Sequence, residues 1–359
     1  MGRVAGGLVE VVVGAVALSA GAGIAVPHLT RAGLSATGAW ATLAVLAGLA
    51  LLASGTRRLS EPLRWWGRLP TAVAVVAGAA VLLLTLGPAV AATTVPRTLL
   101  APTTPADRGL TFEEVTFATD DGVALSGWYL PSTNGAAVAL LHGAGSTRTS
   151  VLDEAVVLAR HGYGVLLFDA RGHGRSEGRA MAYGWNGDAD TMAAVTFLTG
   201  RPDVQADRIG VVGLSMGGEQ AIGALAADPR IRAAVAEGAT GRTAADNAWF
   251  SEVYERRGSA QEMIDRLRFT FVDLLTEAPR PPSLRESAAA AAPRPILLIA
   301  AGEVPDEQHA AAYIRSGSPA SVEVWVVAGA RHTGGLATAP SEWRTRVTAF
   351  LDGALPPPA

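Results

Sequence analysis

A serine between two glycines lies at the end of an apolar run in residues 211–220, VVGLSMGGEQ. The run predicts a strand, and residues 216–227 predict a helix that follows it directly. A Gly-x-Ser-x-Gly turn between a strand and a helix exposes a serine hydroxyl for nucleophilic attack. Side chains at Gly213 and Gly217 would collide with the packed strand and helix, so glycine fits both positions. Ser215 is therefore a candidate nucleophile for acyl transfer.

The start of the helix after Ser215 offers a second chemical group. The backbone N–H of Met216 belongs to the first turn of that helix, where amides have no partner inside the helix. It would point toward negative charge that develops beside the serine, as one half of an oxyanion hole does.

The elements around Ser215 predict an α/β fold. Residues 110–131 predict two alternating strands joined by a turn at Asp120–Gly122. Short apolar strands then alternate with helical stretches, and the strands cover residues 136–141, 164–169, 208–214, 233–237, 295–301 and 321–328. Continuous apolar strands are typical of a mainly parallel sheet that helices cover on both faces. Reactive groups collect at the carboxyl ends of such strands, which is where Ser215 lies.

Three motifs in this part of the chain resemble the α/β-hydrolase superfamily. They are LLHGAG at 140–145, FDARGHGRSEG at 168–178 and GLSMGG at 213–218, in the order that the family keeps. The resemblance covers roughly residues 110–355. It implies that the N–H of Ala144 donates to the oxyanion alongside that of Met216. It also implies structural roles for His142, Asp169, Arg171 and His173.

The family order of serine, acid and histidine indicates the other two catalytic groups. A serine hydroxyl needs a base within hydrogen-bond reach and a third group that orients the base. Two histidines follow Ser215. His332 comes just after the last predicted strand, where the family keeps its base, whereas His309 lies in a predicted surface helix. The resemblance therefore implies His332 as the base.

The acid is expected after the strand at 295–301, in the segment GEVPDEQ. Family members usually have aspartate where this chain has Pro305, so the pattern departs from the family here. We predict Asp306 as the acid, one position later. Glu303 would serve if the loop is tighter, and Glu307 if the helix starts earlier.

An insertion at about 243–292 separates two of the predicted strands. Insertions at this point form small caps over the site in the resembled family. Phe269, Phe271 and Leu274 would present an apolar face to an acyl substrate or lipid, although a plain packed helix gives the same pattern.

The N-terminal quarter of the chain predicts three transmembrane helices. Its apolar stretches cover residues 4–26, 34–53 and 71–92, each close to the roughly 20 residues that cross a bilayer. Small residues in ALSAGA would also suit a cleaved signal sequence, but the length of the first stretch and the two later ones favour a retained helix. We divide the chain into a membrane region (1–95), a Pro-rich linker (96–109) and a hydrolase domain (110–359).

Arginine placement predicts the orientation of the chain in the membrane. Residues 54–70 hold four arginines, against one between the first two apolar stretches. Basic loops resist translocation, so residues 54–70 should face the cytoplasm and the hydrolase domain should be extracytoplasmic, at the cell membrane.

Composition excludes several function classes. The net charge is −3, from 29 basic and 32 acidic residues, and no long basic run is present, so we expect no nucleic-acid partner. Cysteine is absent, which excludes disulfides, thiolate metal sites and a cysteine nucleophile. No metal-ligand spacing or phosphate-binding loop is present, and we expect no metal and no cofactor. Arginine without lysine and abundant alanine and glycine are typical of GC-rich bacterial genomes.

These features together predict a membrane-anchored serine hydrolase of the carboxylesterase or lipase type. It would cleave an ester through a Ser215–His332–Asp306 triad and an acyl-enzyme, and its substrate would be a small or lipid-like acyl compound. Two alternatives are a serine peptidase of the same fold and a catalytically silent membrane sensing or binding module. Protein partners are not indicated.

Overall fold

The computed structural model describes residues 2–179 and 182–357. The chain forms two compact units. The first contains the residues up to Pro96 together with Tyr254–Glu277, and the second contains Arg97–Val253 together with Ala278–Ala359.

Three long helices form the N-terminal part of the first unit: α1 (Gly2–Arg31), α2 (Ala36–Ser60) and α3 (Trp65–Thr94). All three are long and apolar enough to cross a membrane. The helices extend beyond the apolar stretches, so most of residues 54–70 is helical and only 61–64 connect α2 to α3. Arg57 and Arg58 therefore lie in the last turn of α2.

Glycine lets α1 and α2 pack closely. A Cβ atom at Gly14 would lie 2.8 Å from the carbonyl oxygen of Gly48, and one at Gly48 would lie 2.6 Å from the backbone nitrogen of Leu18. Glu10 lies on the same helix pair, where it accepts a hydrogen bond from Ser54 (2.9 Å) and pairs with Arg58 (3.0 Å). The acidic residue in the first apolar stretch is thus neutralised by the neighbouring helix, as an ionisable group near lipid requires.

A mixed sheet forms the centre of the second unit. Its strands are β1 (Glu113–Ala118), β2 (Ala124–Leu130), β3 (Ala137–Leu141), β4 (Gly164–Phe168), β5 (Ile209–Leu214), β6 (Ile231–Glu237), β7 (Ile296–Ala301) and β8 (Val322–Val327). Their spatial order is β1-β2-β4-β3-β5-β6-β7-β8. β2 pairs antiparallel with both β1 and β4, whereas the strands β3 to β8 run parallel to one another. The two strands predicted within residues 110–131 are present as β1 and β2, and the six predicted after them are present to within two residues at either end.

Helices cover both faces of this sheet. They are α4 (Leu152–Arg160), α5 (Gly187–Thr199), α6 (Met216–Ala227), α8 (Leu284–Ala291), α9 (Pro305–Arg315), α10 (Gly335–Thr338) and α11 (Pro340–Ala354), while α7 (Phe250–Leu275) lies in the insertion. The strand β3 shows why the sequences of the strands are continuously apolar. Ala137 and Ala139 pack into one hydrophobic cluster, whereas Val138 and Leu140 pack into another. Successive side chains point to opposite faces, and both faces are buried.

Of the two interpretations of Phe269, Phe271 and Leu274, an apolar face toward substrate or a plain packed helix, the exposures of these residues favour the packed helix. Phe269 is buried, whereas Leu274 is 75% exposed. The two positions are five residues apart, which places them on nearly opposite sides of a helix with 3.6 residues per turn. The helix α7 is also interrupted at Glu255, which has a φ of 50°.

The predicted linker packs on the second unit from Arg97 onward. The Arg97 guanidinium donates hydrogen bonds to the carbonyl oxygens of Gly174, Ser176 and Gly178. The hydroxyl of Thr98 donates to the carbonyl oxygen of Gly145 at 3.1 Å. These contacts fix the chain where it leaves α3, so residues 97 and 98 do not act as a flexible spacer.

Candidate active site

Ser215 lies in a strained turn between β5 and α6. Its φ is 56° and its ψ is −124°, values that a non-glycine residue adopts only when the surrounding structure imposes them. A Cβ atom at Gly213 would lie 2.1 Å from the carbonyl oxygen of Gly217, and one at Gly217 would lie 2.5 Å from that of Leu141 on β3. The flanking glycines are therefore required by the close approach of helix and strand, for the reason that the sequence indicated.

His332 follows β8 and reaches the serine. Its Nε2 atom is 2.9 Å from the Oγ atom of Ser215, although 117 residues separate the two in sequence. The strands β5 and β8 both end at this edge of the sheet, which is what brings the two side chains together. Both are partly exposed, so a substrate can reach them. The other candidate, His309, lies on α9 and stacks on Trp249 with ring centroids 5.4 Å apart.

Glu307 is the carboxylate that contacts His332, which corrects the predicted acid. Its Oε1 atom is 2.6 Å from His332 Nδ1, and its Oε2 atom accepts a hydrogen bond from the backbone N–H of Ala301 at 2.8 Å. Asp306, the predicted acid, and Glu303, the alternative, are both exposed, whereas Glu307 is 1% exposed.

The start of α9 explains this difference. The helix begins at Pro305, so the acid is supplied by the first helical turn and not by a loop residue. Within that turn residue 307 faces the interior, and residue 306 faces solvent. Proline at the first position of a helix is a common start signal, and it could have favoured Glu307 from the sequence.

The charges around His332 favour its protonated form. The hydrogen bond that His332 Nδ1–H donates to Glu307 is the largest cause that raises the pKa of His332, and the negative charges of Glu219 and Glu237 raise that pKa further. Burial raises the pKa of Glu219 to about 7, while its Oε1 atom accepts hydrogen bonds from the backbone N–H groups of Thr240 and Gly241. Neither Glu219 nor Glu237 was singled out from the sequence, because each follows an ordinary helix or strand pattern.

The charges around His332 predict the pH range in which kcat/KM falls on the acid side of its pH profile, which we call the acid limb. A general base must be neutral, so kcat/KM falls as His332 takes up a proton. Because Glu307 raises the pKa of His332 above the ordinary value of 6.5, the midpoint of that fall should lie above pH 6.5. Hydrolysis of a p-nitrophenyl ester measured from pH 5 to 9 checks this. A midpoint at or below the ordinary value would contradict the assigned surroundings of His332.

Two backbone amides are available beside the serine hydroxyl. Met216 begins α6, and Ala144 lies in the loop after β3 that passes next to Ser215. A Cβ atom at Gly143 in that loop would lie 3.2 Å from the Cβ of Ser215. Neither the Met216 nor the Ala144 N–H donates a hydrogen bond within residues 2–179 and 182–357. The loop that carries Ala144 thus passes next to Ser215, and the roles of Met216 and Ala144 as oxyanion donors stay predictions.

His142 braces the loop that carries Ala144. Its Nδ1 atom is 2.8 Å from the carbonyl oxygen of Gly143, and its Nε2 atom accepts a hydrogen bond from the backbone N–H of Ala170 at 3.0 Å. Burial lowers the pKa of His142 to about 4. The ring is therefore neutral near pH 7 and occupied on both sides, as a structural role requires.

The loop after β4 is held by buried ion pairs. Asp169 accepts hydrogen bonds from the backbone N–H groups of Arg148 and Arg175, and Arg171 pairs with Asp121 and Asp190 at 2.7 Å each. These contacts join loops at one edge of the sheet; Asp169 and Asp190 are buried, whereas Asp121 is exposed. Their geometry agrees with the bracing roles that the motif implied.

The arrangement can perform nucleophilic acyl chemistry. A hydroxyl, an imidazole and a buried carboxylate lie in one hydrogen-bonded line, with two open amides beside the hydroxyl. In the described part of the chain, no three histidine, aspartate or glutamate side chains are grouped so that they could hold a metal ion.

Sequence comparisons find hydrolases among the proteins that are similar to this chain. A family model described as serine aminopeptidase, S33, matches residues 132–280. The thiohydrolase AneE of Aspergillus aculeatus is 40% identical over 126 residues, which is 34% of this chain and 40% of that protein. The chain thus spans about two fifths of the length of the curated relatives it matches.

Solved structures show the same fold. The esterase Pf2001 of Pyrococcus furiosus has a TM-score of 0.58 and 27% identity, over 73% of this chain and 98% of that one. The α/β hydrolase GrgF of a Penicillium species has a TM-score of 0.52 and 20% identity, over 68% of this chain and 99% of that one. This second likeness supports the fold alone.

Proposed function

We propose that this chain, which belongs to the α/β-hydrolase superfamily, is a membrane-anchored serine hydrolase that cleaves an ester. The observation that carries the proposal is the line of hydrogen bonds from Ser215 through His332 to Glu307, at 2.9 and 2.6 Å. The three apolar helices α1 to α3 supply the anchor.

The reaction proceeds in two halves. Ser215 Oγ attacks the ester carbonyl carbon while its proton passes to His332 Nε2, and the N–H groups of Met216 and Ala144 stabilise the oxyanion. The tetrahedral intermediate collapses, the alcohol leaves with the proton from His332, and an acyl-enzyme remains. Water then attacks the acyl carbon with His332 as base, and the carboxylic acid is released from Ser215.

The buried carboxylate of Glu307 has two roles in this scheme. Its hydrogen bond fixes the tautomer that carries a proton on Nδ1 of His332, so that Nε2 is free to accept the serine proton. Its negative charge stabilises the imidazolium that forms in each half of the reaction. Because Ala301 also donates to the Glu307 carboxylate, the acid is held to the end of β7.

An ester is the preferred substrate because the matched esterase of P. furiosus is 27% identical over 73% of this chain. Two other acyl substrates have a specific observation behind them. The relative from A. aculeatus is named as a thiohydrolase, which favours a thioester, and the family description favours a peptide with a free amino end. The three differ in the leaving group and share the acyl-enzyme.

A pre-steady-state experiment on the full chain in detergent tests the proposal. We expect p-nitrophenyl butyrate to give a burst of p-nitrophenol and an added butyryl mass on Ser215. An S-butyryl thioester and leucine p-nitroanilide, run in parallel, assign the preferred leaving group from kcat/KM. If no substrate gives a burst and no acyl adduct forms on Ser215, the chain is not a serine hydrolase, and the silent sensing or binding module replaces the proposal.

The arginines that predicted the membrane orientation from the sequence also support our proposal that the second unit is extracytoplasmic. Arg57, Arg58, Arg64 and Arg68 surround the connection between α2 and α3, so this end should remain in the cytoplasm and the residues after α3 should be outside. Protease added to right-side-out vesicles should then degrade the second unit. Protection of that unit until the vesicles are opened would reverse the proposed orientation.

A further inference from the structure

Glu237 lies at the end of β6, between β5, which precedes Ser215, and β7, which precedes Glu307. It is 4% exposed, and β6 pairs with β5 on one side and β7 on the other. The backbone carbonyl oxygen of Glu237 accepts the hydrogen bond of the Ser215 N–H at 2.7 Å. The main chain at this position therefore holds the turn that presents the serine.

The side chain of Glu237 holds the segment after His332. Its Oε1 atom accepts a hydrogen bond from the backbone N–H of Gly335 at 2.7 Å, and its Oε2 atom accepts one from the indole N–H of Trp343 at 3.0 Å. Gly335 is three residues after His332 and begins α10, and Trp343 is a buried residue of α11. The carboxylate thus fastens the loop that carries His332 to the centre of the sheet.

We propose that Glu237 is a positioning residue that sets the separation of Ser215 from His332, through its main chain on one side and its carboxylate on the other. The inference rests on the proposed function, because it concerns the same hydroxyl and imidazole. A loop anchored at residue 335 leaves the imidazole little freedom to move away from the serine. Displacements near 1 Å in such pairs reduce rates by about a hundredfold.

Glu237 does not replace Glu307 as the acid. Each of its carboxylate oxygens is occupied by an N–H donor, and Nδ1 of His332 is already bonded to Glu307. Glu237 acts on His332 through the loop and through its charge. The charged groups that bear on His332 are the carboxylates of Glu307, Glu219 and Glu237, all of which raise its pKa, so loss of one charge should lower that pKa.

Three variants of the full chain separate positioning from general stability. Glu237→Gln keeps the size of the side chain but removes its charge. It also replaces one carboxylate oxygen with an NH₂ group, which then faces the N–H of Gly335 or of Trp343. Trp343→Phe removes the indole N–H together with part of the buried ring, and it keeps the charge of Glu237. Glu154→Gln is the matched control, because Glu154 is another buried glutamate, on α4, with one carboxylate oxygen that has no hydrogen-bond partner among the described residues.

Two measurements are made on each variant. The first is the rate constant for labelling of Ser215 by a fluorophosphonate as a function of pH, and the second is kcat and KM for p-nitrophenyl butyrate. We expect Glu237→Gln to lower labelling and kcat by about ten- to a hundredfold with KM unchanged, and to move the acid limb to lower pH. Trp343→Phe should lower the rate by a smaller factor and leave the acid limb in place. Glu154→Gln should match the wild type.

The outcomes distinguish the inference from the proposed function. A wild-type protein that the reagent does not label contradicts the proposed function itself. If the wild type is labelled and Glu237→Gln has the same labelling rate and the same acid limb, the positioning role is overturned. It is also overturned if Glu237→Gln loses activity only together with a lowered thermal midpoint while its acid limb does not move. If Glu237→Gln does not fold, Trp343→Phe decides: a lowered kcat with unchanged KM supports the role, and a wild-type kcat overturns it.

Discussion

Replacing Ser215 with alanine is expected to lower kcat by about a million-fold while the protein stays folded. The Ser215 hydroxyl lies 2.9 Å from the imidazole of His332, so alanine at this position removes the group that would attack the carbonyl and form the acyl-enzyme. The fold should persist because the hydrogen bonds that hold the turn use the backbone N–H and carbonyl of Ser215. Hydrolysis of p-nitrophenyl butyrate and the thermal midpoint of the full chain in detergent measure both effects.

A matched serine variant makes this result specific. Ser341 is exposed at the start of α11, and Ser341→Ala should keep the wild-type kcat. Turnover by Ser215→Ala at a rate close to that of the wild type would refute the assignment of the nucleophile. A million-fold loss with an unchanged thermal midpoint is the expected pair of values.

Replacing Glu307 with glutamine is expected to lower kcat by about ten thousand-fold. A glutamine carbonyl can accept only from Nδ1 of His332 or from the N–H of Ala301, and its NH₂ group then faces the other donor. The imidazole loses both the charge that stabilises its protonated form and the contact that fixes its tautomer. The pKa of His332 should also fall, so the acid limb of kcat/KM should move to lower pH.

The neighbouring carboxylates provide the controls for the acid. Asp306→Asn and Glu303→Gln change exposed residues that lie one and four positions from Glu307, and both should keep kcat close to the wild-type value. These variants are made on the same segment and remove the same charge. A large loss in Asp306→Asn with a small one in Glu307→Gln would restore the acid that the sequence predicted.

Local patterns predicted most of the fold. The strands of the second unit are short apolar runs with alternate residues in two buried clusters, and such runs can be recognised one at a time. The serine turn was equally clear, because strain at Ser215 and close packing at Gly213 and Gly217 leave few residue choices. The base was found through its place after the last strand.

The acid and its surroundings depend on information that the sequence carries only weakly. A shift of one residue in the start of α9 exchanges the buried and exposed positions of Asp306 and Glu307, and the bounds of helices are the least certain part of a sequence-based prediction. Glu219 and Glu237 gain their roles from the order of the strands, which brings β6 between β5 and β7. The position of the insertion in the chain was predicted from the sequence. Its apolar residues alone did not indicate which side of α7 is buried.

The most direct test of the account is the site at which a fluorophosphonate binds covalently to the full chain. Only a serine activated by a neighbouring base reacts readily with this reagent, so peptide mapping should find the adduct on Ser215. The variant His332→Ala should lose the labelling because it removes the base 2.9 Å from the hydroxyl. An adduct on another residue, or labelling of His332→Ala at the wild-type rate, would contradict the proton relay between Ser215 and His332.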